Sequence, residues 1–294
     1  MKLSDFSISR VQVFLQRRKT EDDVRTDVAI LREWMKKQEH LPSDLIQDEF
    51  LEIQLLNNKF SIEKVKQKLE KYCTMKSLPH YKQYFEHIPT PSKEAVFYTP
   101  LPKLTNSFKR ILLGRLFTNK NDYDLVKDVS GALPLREFLT RFDYNDGEIL
   151  IFDHREITAL HFLSSYRANV FADILELALG GFSARPYQIH IINKMTATVF
   201  HLIKPILPSK LLSKIYFHDD YTSLTKMVPP ECLPKDYGGE LESLEEILVK
   251  WDTIFEENKD LLRKYMDTKS NEELRLNGPT FIEMQGTFKQ LNID

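Results

Sequence analysis

A chain of 294 residues with a formal net charge of −2 exceeds the usual length of one domain and can bury a large core. Near-balance of acids and bases excludes a dedicated nucleic-acid binder, which carries a strong basic excess, and confines any attraction to a membrane to a local patch. Two cysteines in no motif, Cys73 and Cys232, give no support to a disulfide framework or a cysteine zinc site.

In chain order, the first ten residues carry charge too early and too often for a signal peptide. No uncharged apolar run reaches bilayer-spanning length, so the expectation is a soluble protein of a reducing compartment. Val24, Val28, Leu31 and Met35 recur at helical spacing, and Leu41-Pro42-Ser43 breaks that helix. A second helix carries Phe50, Leu51 and Leu55. A third follows Ser61, a candidate N-cap, with Ile62, Val65, Leu69 and Tyr72 on one stripe, and Pro79 limits it. Pro89, Pro91, Pro100 and Pro102 flank a short β-like run, Val96 to Thr99, and place a domain join there. Residues 110–117 read as a strand and Leu133 to Phe142 as a helix. Ile149-Leu150-Ile151-Phe152 is a continuous apolar run, which suits a strand buried on both faces of a parallel sheet. A long helix over 158–179 carries Leu163, Tyr166, Val170, Ile174 and Leu177 on one stripe and ends at Gly180-Gly181. Strand 187–193 follows, and strand, helix and strand together make an α/β crossover unit. Ser243-x-x-Glu246 is a capping box opening a helix to about Asn258. The last 35 or so residues read as charged and then irregular.

Residues 185–241 organise the rest. Val199, Phe200, Leu202, Ile203, Ile206 and Leu207 recur at helical spacing, Pro205 predicts a break, and Pro208-Ser209 opens a second short helix bearing Lys210 and Lys214. A second strand and a Gly-Gly turn follow. Such a stripe marks an ordinary core helix or an apolar flap that closes over a guest molecule. Burying Val199, Phe200, Leu202 and Ile203 yields roughly 1.5–3 kcal/mol each, whereas each lysine adds only about 1 kcal/mol near an anionic membrane.

The run Val228-Pro229-Pro230-Glu231-Cys232-Leu233-Pro234-Lys235-Asp236-Tyr237-Gly238-Gly239-Glu240 resembles the closing signature of CRAL-TRIO lipid-binding domains. So do Ile189-His190-Ile191-Ile192-Asn193, Ile203-Lys204-Pro205-Ile206-Leu207 and Gly147-Glu148-Ile149-Leu150-Ile151-Phe152-Asp153. The resemblance is to the α-tocopherol-transfer-protein-like branch, spans residues 24–250, and extends to a tail, 286–294, similar to the ending of insect members. It implies an α/β fold class. An all-helical N-terminal module (1–90) precedes a CRAL-TRIO domain (91–250) with a mostly parallel sheet and a mobile gate helix over an apolar pocket, and a C-terminal extension (251–294) packs on it. Asn57-Asn58 stands where that family has an Arg and a small residue.

Carried over by position, Ile174, Leu177 and Ala178 line the pocket from the long helix, Ile189 and Phe152 from the strands, and Val199, Phe200 and Ile203 close its mouth. Phe162, Tyr166 and Val170 extend the helix face, and Ile191 and Leu207 complete the ligand-binding set. Each is equally readable as ordinary core. Ser130, Tyr166 and His201 are candidate polar anchors, and Glu148 is expected to point away or to be paired. Arg185, Lys210 and Lys214 match the phosphoinositide-contacting positions, while Tyr187 and Gln188 replace a basic residue and a glycine.

An enzyme reading would draw on His218-Asp219-Asp220 or His154-Arg155-Glu156, neither with a metalloenzyme spacing, and no nucleophile elbow or nucleotide loop is present. The expected function is that of a non-enzymatic, cofactor-free carrier. It would enclose a small hydrophobic ligand such as tocopherol, retinoid, carotenoid or another isoprenoid, and exchange it at membranes with phosphoinositide assistance. It is expected to be a cytoplasmic monomer in peripheral contact with membranes and to bind neither metal nor nucleic acid. The alternative is a lipid-sensing scaffold, or a phospholipid binder without transfer activity.

Overall fold

The fold is known from a computed structural model, which describes residues 9–86, 88–93, 96–116, 125–156, 158, 163–164, 167–192 and 200–276. Among the described residues, the longer helices of the N-terminal module are α1 (Arg10–Gln16), α2 (Glu21–Met35), α3 (Asp48–Asn57) and α4 (Ile62–Ser77). Thr20 starts α2 with a reciprocal capping box. The Asp23 N–H donates to Thr20 Oγ1 (3.2 Å), and Asp23 Oδ2 accepts the Thr20 N–H (2.8 Å). Val24, Val28, Leu31 and Met35 are buried on one stripe, as their spacing predicts. Ser61 precedes α4 without a side-chain capping bond, unlike its expected role.

The core of this module is not its own. It is shared with Leu133, Tyr144, Val170, Leu177 and Phe182 from beyond the proline-marked join. A buried charge network reinforces the contact. Lys76 Nζ donates to Glu137 Oε1 and to the Tyr265 carbonyl (both 2.5 Å), Tyr72 Oη donates to Glu137 Oε2 (2.7 Å), and Arg141 Nη1 donates to the same carboxylate (2.5 Å).

Among the described residues, five strands form one sheet in the order β1 (Val96–Pro100), β2 (Arg110–Leu116), β3 (Glu148–Asp153), β4 (Pro186–Ile192), β5 (Ile215–His218). β1 is antiparallel to β2, and every other pair is parallel. Helix α5 (Leu125–Phe142) connects β2 to β3 and runs through Pro134, which forfeits a backbone donor. Helix α6 (Ala168–Leu175), prolonged by a wider turn over Glu176–Gly181, connects β3 to β4. Arg167 is extended just before it, so the expected helix over 158–179 is interrupted there; Leu163 is exposed, and 159–162 and 165–166 lie outside the described residues. A short helix α7 (Ser209–Leu212) follows Pro208 and leads into β5.

Alternation along the strands gives the sheet two unlike faces. On one, Ile111, Leu113, Ile149, Ile151 and Ile192 are fully buried beneath Leu224, Val228, Leu233 and Tyr237. The glycine turn closes this layer. Gly238 takes φ +71°, and a side chain on Gly239 would stand 2.0 Å from the Leu233 carbonyl oxygen, so neither position tolerates a larger residue without rearrangement. Ser243 then caps α8 (Leu244–Glu257) through the predicted box with Glu246. The region expected to be irregular contains a further helix, α9 (Lys259–Met266), whose Leu262, Tyr265 and Met266 are buried.

Candidate functional site

The second face of the sheet carries the apolar residues of interest. Strand register sets Leu150, Ile189 and Ile215 in one row and Phe152, Ile191 and Phe217 in the next. Leu179, Ile189, Ile191 and Leu211 form a buried cluster there. Leu150, Phe152, Leu175, Ala184, Leu207 and Ile215 pack against it while keeping part of their surface exposed. The contrast within one strand is informative. Ile149 and Ile151 of β3 are 3% and 0% exposed on one face, whereas Leu150 and Phe152 between them are only half-buried on the other. Apolar side chains at the middle of a sheet thus offer area to an apolar occupant.

Two segments roof this face. Helix α6 contributes Leu175 and Leu179, and the segment before β5 contributes Leu207 and Leu211. Phe200 sits edge-on to Phe217, with ring centroids 5.2 Å apart. At the other side Tyr98 meets Phe152 edge-on (5.7 Å). The Tyr98 ring lies over Gly114, where a Cβ would come within 2.7 Å of it.

Among the expected lining residues, Phe152, Ile189 and Ile191 lie on this face, Leu207 packs against it, Ile203 is buried and Phe200 is half-buried at the roof. Ala178 is half-buried on α6. Val170 and Leu177 are placed differently, in the core shared with the N-terminal module, and Ile174 packs against that core. The reason is geometric: Leu175 and Leu179 stand four apart on a neighbouring stripe of the same helix, and that stripe faces the sheet. Phe162, Tyr166 and Val199 lie outside the described residues, as does the side chain of Ser130, and His201 is exposed. Glu148 is paired as expected: Arg136 Nη1 donates to its Oε1 (2.5 Å), while Oε2 is buried without a hydrogen-bond partner. Leu150, Leu175, Leu179, Leu211, Ile215 and Phe217 were not singled out from the sequence.

Cations gather where β4 and β5 begin. Lys214 Nζ donates to the Pro186 carbonyl (2.7 Å). Burial lowers the Lys214 pKa, and the neighbouring charges of Arg185, Lys59 and Lys210 lower it further. Arg185 is lowered by burial and then by Arg17. One carboxylate stands among them. Asp146 accepts from Lys109 Nζ (2.6 Å), Arg17 Nε (2.5 Å) and Arg185 Nη1 (3.2 Å). Burial works to raise its pKa, but the bonds from Lys109 and Arg17 prevail and hold it below the usual range. Arg185 and Lys210 both lie within electrostatic reach of Lys214. Lys59 joins them from the N-terminal module directly after Asn57-Asn58, at φ +56°. Cations within electrostatic reach of one another form a field suited to an anionic group.

The histidine motifs have structural explanations. His218 Nε2 meets His190 Nδ1 (2.8 Å), its Nδ1 meets Ser223 Oγ (3.1 Å), and Asp220 caps the next turn by accepting the Ser223 N–H (3.0 Å). Asp153 accepts from Arg155 Nη2 and Tyr237 Oη (both 2.6 Å). Among the described residues no group of three His, Cys, Asp or Glu is placed to hold a metal.

Comparison with known proteins gives the following similarities. A family model described as the CRAL/TRIO domain matches residues 120–239, and one described as a Pinta-like UBA domain matches residues 20–84. A mouse (Mus musculus) protein named alpha-tocopherol transfer protein-like is 24% identical over 238 residues, 78% of this chain and 68% of that protein. Clavesin-1 of Xenopus laevis is 31% identical over 103 residues, 33% of this chain and 30% of its own. The crystal structure of Sfh5 superposes with a TM-score of 0.47 at 13% identity, over 80% of this chain and 98% of that one.

Proposed function

The chain belongs to the CRAL-TRIO family of lipid-binding and transfer proteins, and from that premise we propose that it carries a small hydrophobic molecule between membranes. The guest lies on the sheet face of Leu150, Phe152, Ile189, Ile191 and Ile215, under α6 and the segment containing Phe200, Ile203 and Leu207. Tocopherol, retinoid, carotenoid and other isoprenoids share the chemistry this face accepts. The observation that carries the reading is that Leu150, Phe152 and Ile215 keep apolar surface exposed beside the buried Ile189 and Ile191 on this face of the sheet. Withdrawing ten methylene-sized groups of a ligand from water is worth roughly 8 kcal/mol. Such a molecule leaves only where another apolar phase receives it.

The cation cluster supplies the second half of the proposal. Arg185, Lys210 and Lys214, with Lys59, receive the phosphate of a phosphoinositide or another anionic headgroup, which orients the carrier as the roof segment opens. No helix among the described residues is long and apolar enough to cross a membrane, and the proposed contact is a peripheral one. The protein works as a monomer in the cytoplasm and makes or breaks no covalent bond in its guest.

Denaturing extraction of the purified protein followed by mass spectrometry, paired with a fluorescent-lipid transfer assay between vesicles, tests this directly. A carrier yields an apolar molecule and accelerates transfer. A protein that retains lipid but transfers none is a sensor or scaffold, and that outcome rejects the proposal.

A further inference from the structure

The basic cluster contains one residue whose chemistry differs from the rest. Tyr187 lies on β4 two positions after Arg185, and 52% of its surface is exposed. Its ring lies 4.7 Å from Lys109 Nζ. A Cβ built on Gly147 would be 3.7 Å from Tyr187 Cβ, 3.8 Å from Lys109 Cδ and 3.2 Å from the Arg185 carbonyl oxygen, so the aromatic stands directly beside the cation group that Asp146 gathers. Lys214 adds a further charge nearby, bonded to the carbonyl of Pro186, the residue before Tyr187.

We propose that Tyr187 is an interfacial anchor, entering the headgroup–acyl boundary of an anionic membrane at the centre of the basic cluster. This rests on the reading that the cluster meets a membrane. A half-exposed aromatic gains nothing from soluble phosphate, but an aromatic with a polar tip is suited to the membrane–water boundary. The surrounding Arg17, Lys109, Arg185, Lys210 and Lys214 complement an anionic lipid surface and bring the ring to it. Lys109 stays bonded to Asp146 and stacked against the ring, so the side chain is held facing outward before contact. The cations then set whether the protein binds, and Tyr187 sets how deeply and for how long.

The test uses the full-length protein with vesicles of phosphatidylcholine alone, with phosphatidylserine, or with phosphatidylinositol bisphosphate. Tyr187→Ala is expected to weaken binding to both anionic vesicles by roughly fivefold to tenfold, the worth of about 40–55 Å² of apolar surface at ~25 cal/mol per Å². Its salt dependence should match that of the wild type, whereas Lys210→Glu/Lys214→Glu should flatten it. Tyr187→Trp, read against the background of Trp34 and Trp251, should shift its emission to the blue and be quenched by lipids spin-labelled near the headgroup. Soluble inositol trisphosphate should produce no such shift. Unchanged affinity of Tyr187→Ala together with an unquenched Tyr187→Trp overturns the anchor while leaving the cation reading intact. A wild-type protein that ignores all anionic vesicles overturns both.

Discussion

Glutamine at Glu137 should be among the most damaging conservative changes in the chain. Glu137 is fully buried and is the shared acceptor for Lys76, Arg141 and Tyr72. Glu137→Gln keeps the shape but leaves Lys76 and Arg141, both buried, without their counter-charge. Stranding a buried partner in this way costs about 3–5 kcal/mol. At roughly 2–4 °C per kcal/mol for a protein of this size, the midpoint should fall by about 6–20 °C. Lys76→Met added to Glu137→Gln should recover part of the loss, since one stranded cation remains instead of two. The network joins α4, α5 and the end of α9, so calorimetry should show a single transition in both variants. A shift below about 2 °C, or a separate early melting of the N-terminal module, would refute the idea that these charges hold the parts together.

Three further outcomes are expected. Gly114→Ala should push the Tyr98 ring toward Phe152 at a cost of about 1–3 kcal/mol, and Tyr98→Ala in the same chain should relieve it; chemical denaturation of the two variants checks this. The proposed role of the cation cluster predicts that Lys210→Glu/Lys214→Glu lowers co-sedimentation with phosphoinositide vesicles while thermal stability stays close to wild type; equal sedimentation would remove the cluster from the account. Stability should also fall on acidification. Burial, aided by the neighbouring His218, holds His190 at about 4 against 6.5 for a free histidine. The unfolded chain therefore binds the proton first, and stability present above pH 6.5 is lost progressively down to about 4. His190→Gln should flatten that part of a urea-denaturation profile, and an unchanged slope would show that His190 does not set it.

Much of this architecture was legible because single signals acted alone. The apolar run at β3 has no alternation and is a parallel interior strand. The boxes Thr20–Asp23 and Ser243–Glu246 both form, although only the second was read in advance. Helix α6 shows where periodicity fails. Val170, Ile174 and Leu177 pack toward the N-terminal module while Leu175 and Leu179 pack toward the sheet, so two adjoining stripes are apolar and spacing cannot say which one faces a ligand. The basic cluster was legible only in part for a similar reason. Lys59 follows an Asn-Asn pair that looks uncharged, and Lys109 and Arg17 reach Asp146 from segments distant in sequence. Helix α9 was missed because its buried Leu262, Tyr265 and Met266 are outnumbered by charged neighbours.

The central claim is that the second face of the sheet, where Leu150, Phe152 and Ile215 keep apolar surface exposed, holds a hydrophobic guest. The most direct measurement is the amount of apolar small molecule released per mole of purified protein on denaturation, for the wild type and for Ile189→Gln/Phe152→Gln. The account predicts close to one equivalent from the wild type and a large loss in the variant while it remains folded. A wild-type protein that releases nothing and takes up no fluorescent lipid, or a variant that releases the same molecule in the same amount, would contradict it.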